Sequence, residues 1–118
     1  MKTIKILFTI IILSIGWINI KSQDNKLLDT VIFKVSGVCE SCKTRIENAA
    51  LIKGVKYVNW DIKTQKLTVI YRNDKVKIDE IHKSIALAGH DTEKIKASDE
   101  AYKKLPKCCA YRDGTKSH

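Results

Sequence analysis

The chain has 118 residues, with 22 lysines and arginines against 13 aspartates and glutamates, and a formal charge of +9. That length holds one domain and little more. The basic residues are scattered among carboxylates rather than blocked together, so the charge reads as a solvated lysine-rich surface or a dock for an acidic protein. Nucleic acid is excluded as the expected partner on the same ground.

Residues 1–22 have the layout of a secretory signal peptide. Lys2 and Lys5 supply the positive start, residues 6–20 are mostly Ile, Leu, Phe and Trp, and Lys21, Ser22 and Gln23 turn the chain polar. The apolar run is shorter than the roughly 20 residues that span a bilayer. Cleavage is expected after Ser22, with an uncleaved anchor as the alternative. An exported, periplasmic protein follows, with no stable membrane insertion once the signal is removed. All four cysteines, Cys39, Cys42, Cys108 and Cys109, lie beyond it. An oxidising compartment lets thiols pair, and four cysteines allow three connectivities. Vicinal Cys108 and Cys109 pair poorly with each other because the ring strains their peptide bond.

Residues 23–29 form a polar lead-in. Residues 30–36 alternate, with Val31, Phe33 and Val35 on one face, and read as a strand. Gly37 opens a loop carrying Cys39 and Cys42. Residues 42–53 read as a helix with an apolar stripe of Ile46, Ala49 and Ala50, stopped at Gly54. A second strand over 55–62 and a third over 66–72 flank a turn at 63–65. The second helix, over 78–88, sets its core face with Ile78, Ile81, Ile85 and Ala88, and Gly89 ends it. A short fourth strand is expected over 92–97.

This order, β-α-β-β-α-β, predicts an α+β ferredoxin-like sandwich: a four-stranded antiparallel sheet with both helices on one face. The domain runs over 30–97. A tail over 98–118 begins with a short helix capped by Ser98 and carries Cys108-Cys109 towards a polar end. The tail starts at the pole opposite the Cys39 loop. A strand of about five residues spans roughly 17 Å. A seven-residue helix gives roughly 10 Å, and linker residues add roughly 3.3 Å each. The tail is therefore long enough to bring its thiols back.

The chemistry centres on Cys39-Glu40-Ser41-Cys42, placed between a strand and a helix. Aligned backbone dipoles at a helix N-terminus stabilise anionic ligands. Two thiolates at this spacing converge on one soft metal ion or close into a disulfide. Topology brings the Gly89-His90-Asp91 loop to the same end, so His90 is expected near the thiols, as a further ligand or as a solvated loop histidine. His82 falls beside the core stripe and reads as structural or exposed; His118 is at the chain end.

Gly37 ahead of Cys39-x-x-Cys42, Arg45-Ile46-Glu47, Gly54-Val55, Leu67-Thr68-Val69-Ile70-Tyr71 and Ala88-Gly89, in this order, resemble the heavy-metal-associated domain family. That family includes small copper chaperones, N-terminal domains of metal-pumping ATPases and periplasmic mercury-binding proteins. This chain lacks the family's usual Met after the Gly and has one residue fewer before the first Cys. Val38 is left to fill the apolar slot under the loop. The Cys-Cys tail is a second departure.

The resemblance implies a binding protein, not an enzyme. It would hold Cu(I), or next Hg(II), at Cys39 and Cys42, with Zn(II) or Cd(II) less favoured; no carboxylate precedes Cys39 to favour Zn(II). His90, Cys108 and Cys109 are further candidate ligands, with disulfides the alternative for the last two. Lys43 and Arg45 are expected to offset the thiolate charge. The ion would pass by thiolate exchange to a membrane metal transporter or another metal-binding domain. Two alternatives remain: a periplasmic thiol–disulfide oxidoreductase, which the absence of a Trp-Cys-Gly-Pro-Cys motif and of any proline except Pro106 disfavours, and a transporter-docking domain without metal transfer.

Overall fold

The computed structural model describes residues 27–113. The signal-peptide expectation, most of the lead-in and His118 lie outside them. Among the described residues, no helix is long and apolar enough to cross a membrane.

The architecture is α+β, with three strands where four were expected. Strands β1 (Leu28–Lys34), β2 (Val55–Trp60) and β3 (Lys66–Arg72) form an antiparallel sheet in the order β1-β3-β2. Alternation sets its faces. Phe33, Leu67, Val69, Tyr71 and Trp60 are buried, while Ile32, Lys34 and Tyr57 are exposed. Phe33 pairs with Leu67 and Val31 with Val69, so the apolar side chains of β1 and β3 rise on one face. Helices α1 (Glu40–Ala50) and α2 (Ile78–Leu87) cover that face. Ile46 and Ala50 from α1 meet Ile81 and Ile85 from α2 in one core cluster.

The β2–β3 turn contains no glycine, yet it is tightly specified. The Asp61 carboxylate accepts the Lys63 and Thr64 amides at 2.8 and 3.0 Å, and Gln65 takes φ 59°. The carboxylate does the work that Asn or Gly would do at the turn centre. Those two amide hydrogen bonds hold Asp61 below the usual carboxylate range.

Residues 92–97 do not form a strand. Thr92 makes an isolated bridge to Val35, and Ser36 and Glu93 amides reach the Asp91 and Lys34 carbonyls at 2.8 and 3.0 Å. Beyond that point the segment curls on itself. The Thr92 hydroxyl accepts the Lys94 and Ile95 amides, and the Asp91 carboxylate accepts the Ala97 amide at 2.7 Å. Short polar side chains have here outcompeted a sheet ladder for the backbone donors.

The tail folds as anticipated at its start. Ser98 Oγ accepts the Ala101 amide at 3.1 Å and caps α3 (Asp99–Lys103). Two 3-10 turns follow, Lys107–Cys109 and Tyr111–Asp113. Lys107–Cys109 packs against α1, so the tail returns to the thiol end.

Candidate metal centre

Cys39 is the N-cap of α1, with extended backbone (φ −149°, ψ 174°), and its carbonyl accepts the Lys43 amide at 3.0 Å. Cys42 stands in the first turn. Both are buried, and their sulfurs are 3.4 Å apart. The loop that presents them is fixed from below by Trp60. The Trp60 indole donates to the Val35 carbonyl at 3.0 Å, and Gln65 Nε2 donates to the Gly37 carbonyl at 2.9 Å. Gly37 is required by close approach: a Cβ there would lie 2.9 Å from Trp60 Cη2 and Cζ2 and 3.0 Å from Cys42 Cβ. Val38 is buried in the core, in the slot expected for it.

Cys109 is the third thiol. It is completely buried, 3.5 Å from Cys39 Sγ. Burial and its contacts with Cys42 and Cys39 push the Cys109 thiol far above the ordinary range, so without an ion it stays protonated. Cys108 is exposed, yet the sulfurs of Cys39, Cys108 and Cys109 all lie within 4.8 Å of one another. All four cysteines are free thiols. The structure thus brings the tail thiols to the Cys-x-x-Cys pair.

His90 sits where topology placed it but is buried rather than solvated. Its Nδ1 is 2.8 Å from the Ser36 carbonyl, which can only accept, so Nδ1 carries the proton. Its Nε2 is buried with no hydrogen-bond partner among the described residues. Burial lowers the imidazole pKa, with the Ser36 hydrogen bond opposing, and favours the neutral ring. His90 lies outside the three-sulfur group. His82 is buried, stacked on Phe33 at 3.9 Å with Nδ1 2.7 Å from Thr92 Oγ1.

Lys43 differs from expectation. Its ammonium donates to Glu47 at 2.7 Å, Asn59 at 3.1 Å and the Trp60 carbonyl at 2.8 Å. It ties α1 to the end of β2 instead of facing the thiols. Arg45 is exposed.

Sequence reasoning missed the residues that hold the tail in place. Tyr111 stacks on His90 with centroids 5.6 Å apart, donates its hydroxyl to the Gly89 carbonyl at 2.6 Å and accepts the Asp91 amide at 3.0 Å. Burial raises its phenol to about 12. Arg112 reaches Asp91 at 2.7 Å, Asp99 at 3.1 Å and the Ala97 carbonyl at 2.6 Å, with its guanidinium 4.5 Å from the Tyr102 ring centroid. Burial opposes ionisation of Asp91, but the guanidinium and the Ala97 amide outweigh it and keep the carboxyl below the usual range. The available signal was Tyr111-Arg112 directly after Cys108-Cys109: an aromatic and a fork-shaped cation in a segment read as a polar end.

A small α+β domain with a buried thiol pair at the start of its first helix is thereby defined. The sequence profile of the heavy-metal-associated domain matches residues 32–91, half of the chain, and the protein belongs to that family. Among solved structures it is similar to the CopZ metallochaperone, with 27% identity and a TM-score of 0.52, covering 54% of this chain and 98% of that one. It is also similar to oxidized MerP from Ralstonia metallidurans CH34, with 25% identity and a TM-score of 0.53, covering 56% and 94%. A copper binding domain from HMA7, a P-type ATPase, shares the fold at 24% identity and a TM-score of 0.52, covering 54% and 89%. No curated protein matches the chain.

Proposed function

We propose that this protein is an exported soft-metal carrier that takes Cu(I), or Hg(II), on Cys39 and Cys42 and passes it on by thiolate exchange. The observation that carries this reading is the pair of buried sulfurs 3.4 Å apart at the start of α1, with a third sulfur 3.5 Å from Cys39. Soft thiolates select soft ions, and the family's solved members include a metallochaperone and MerP. Export rests on the charged, apolar and polar sequence blocks of residues 1–22. The recipient is a membrane transporter or another metal-binding domain, since the fold is shared with a domain of a P-type ATPase.

The tail modifies the carrier. A third thiol from Cys109 holds the ion more tightly and slows its departure, while exposed Cys108 offers a first contact for exchange. His90 anchors Ser36, at the entry to the thiol loop, and keeps an unclaimed lone pair at Nε2.

Competitive Cu(I) titration of the reduced protein tests the reading. One ion should bind per chain, and Cys39→Ser with Cys42→Ser should remove the tight site. Cys108→Ser with Cys109→Ser should weaken binding and speed transfer to a chelator. Full affinity in the Cys39/Cys42 double variant would contradict the assignment.

A further inference from the structure

We propose that the thiols of Cys39, Cys42 and Cys109 form a site for trivalent arsenic, taken up as arsenite. The proposal rests on the thiol centre of the carrier reading and adds a cargo to it. The first argument is geometric. Cys39 Sγ lies 3.4 Å from Cys42 Sγ and 3.5 Å from Cys109 Sγ. With bonds of about 2.3 Å, as for zinc–thiolate, sulfurs at these separations subtend roughly 95–100° at a shared ion. Two of the three sulfur–ion–sulfur angles thus match a three-coordinate pyramid, and Cys42 also contacts Cys109. A linear two-coordinate ion with the same bonds would need its sulfurs roughly 4.6 Å apart.

The second argument is charge. All three residues are buried. Three thiolates around a trivalent centre sum to zero, whereas the same three leave one negative charge on a divalent ion and two on a monovalent one. Buried net charge is costly unless something pairs with it, and the cations closest in sequence are engaged or in solvent. Lys43 is held by Glu47, Asn59 and the Trp60 carbonyl, Arg112 by Asp91, Asp99 and the Ala97 carbonyl, and Arg45 and Lys107 are exposed.

The exchange balances without a redox partner. In As(OH)3 three As–O bonds break and three As–S bonds form. Each thiol proton leaves with a hydroxide as water, and arsenic stays trivalent. Cys108 lies within 4.8 Å of Cys39 and Cys109 but is exposed, and its exposure makes it the thiol left over.

The test uses the reduced full chain and sodium arsenite. Native mass spectrometry should show a gain of one arsenic less three hydrogens, with one reactive thiol remaining of the four. Cys42→Ser and Cys109→Ser should each weaken binding by about a hundredfold, the effective-concentration gain of a donor on the same chain; Cys108→Ser should keep it. Circular dichroism checks that each variant folds, and the wild-type mass and thiol count stand without the variants. Two or more thiols remaining reactive, full affinity in folded Cys109→Ser, or loss in Cys108→Ser would overturn the proposal. If arsenite fails to bind while Cu(I) or Hg(II) binds, the proposal falls and the carrier reading stands. If none binds, both fall.

Discussion

Gly37 and His82 show how single residues fix the thiol loop and the core. At Gly37 a methyl group meets the Trp60 ring at 2.9 Å, and that ring is pinned by its hydrogen bond to Val35. A rigid neighbour cannot yield cheaply, so Gly37→Ala should cost about 1–3 kcal/mol, the usual overpacking range. It should also displace Cys42, whose Cβ is 3.0 Å from the same point. Chemical denaturation together with metal affinity checks both effects; an unchanged midpoint would show that the loop relaxes freely. His82 offers a pH test. Burial, then Lys94, lowers its pKa, while Glu93 and Asp79 partly oppose. The unfolded chain then binds the proton better than the folded one. This contribution to stability is complete above the unfolded value of about 6.5. It is lost as pH falls through that value towards the lower folded one. An NMR titration should place the His82 midpoint below about 6.5, with melting temperature falling as the medium is acidified. His82→Phe should flatten that dependence. A midpoint at or above the ordinary value would contradict the burial argument.

At the scale of elements, the tail is the distinctive unit. It is clamped to the loop after α2 rather than to the sheet. Tyr111 joins the Gly89 carbonyl to the Asp91 amide, and Arg112 joins Asp91, Ala97 and Asp99. Gly89 itself has φ 103°, and a Cβ there would lie 2.8 Å from the Ala101 carbonyl oxygen, so the loop and α3 meet backbone to backbone. Removing the guanidinium leaves Asp91 half-buried without its cation. Arg112→Ala should therefore cost about 2 kcal/mol, in the range for hydrogen bonds to charged groups. For a domain of this size that lowers Tm by roughly 10 °C. The tail should loosen, and Cys109 should become alkylated nearly as fast as exposed Cys108. If Cys109 stayed slow in the folded variant, the clamp would not be what buries it.

For the whole molecule, the order of elements was legible because its signals are local. Alternation in 66–72 and the Ile81/Ile85 stripe report burial directly. The Cys39-x-x-Cys42 pair was legible for the same reason. Boundaries moved by a few residues: α1 begins at Glu40 and ends at Ala50, with Cys39 as cap. The fourth strand was misread because the competition among Asp91, Thr92 and the sheet edge is decided by hydrogen bonds within the segment. The role of Lys43 was misread because its partners, Glu47 and the end of β2, become neighbours only in the folded chain. The return of Cys109 was allowed by chain length, but the clamp that enforces it spans about twenty residues from Asp91 to Arg112 and has no periodic pattern.

The carrier reading meets its most direct test in alkylation footprinting of the reduced chain, before and after one equivalent of Cu(I), resolved by mass spectrometry. The account predicts that the slow labelling of buried Cys39 and Cys42 slows further, together, while exposed Cys108 stays reactive. Labelling of Cys39 and Cys42 at the metal-free rate with the ion present would contradict it.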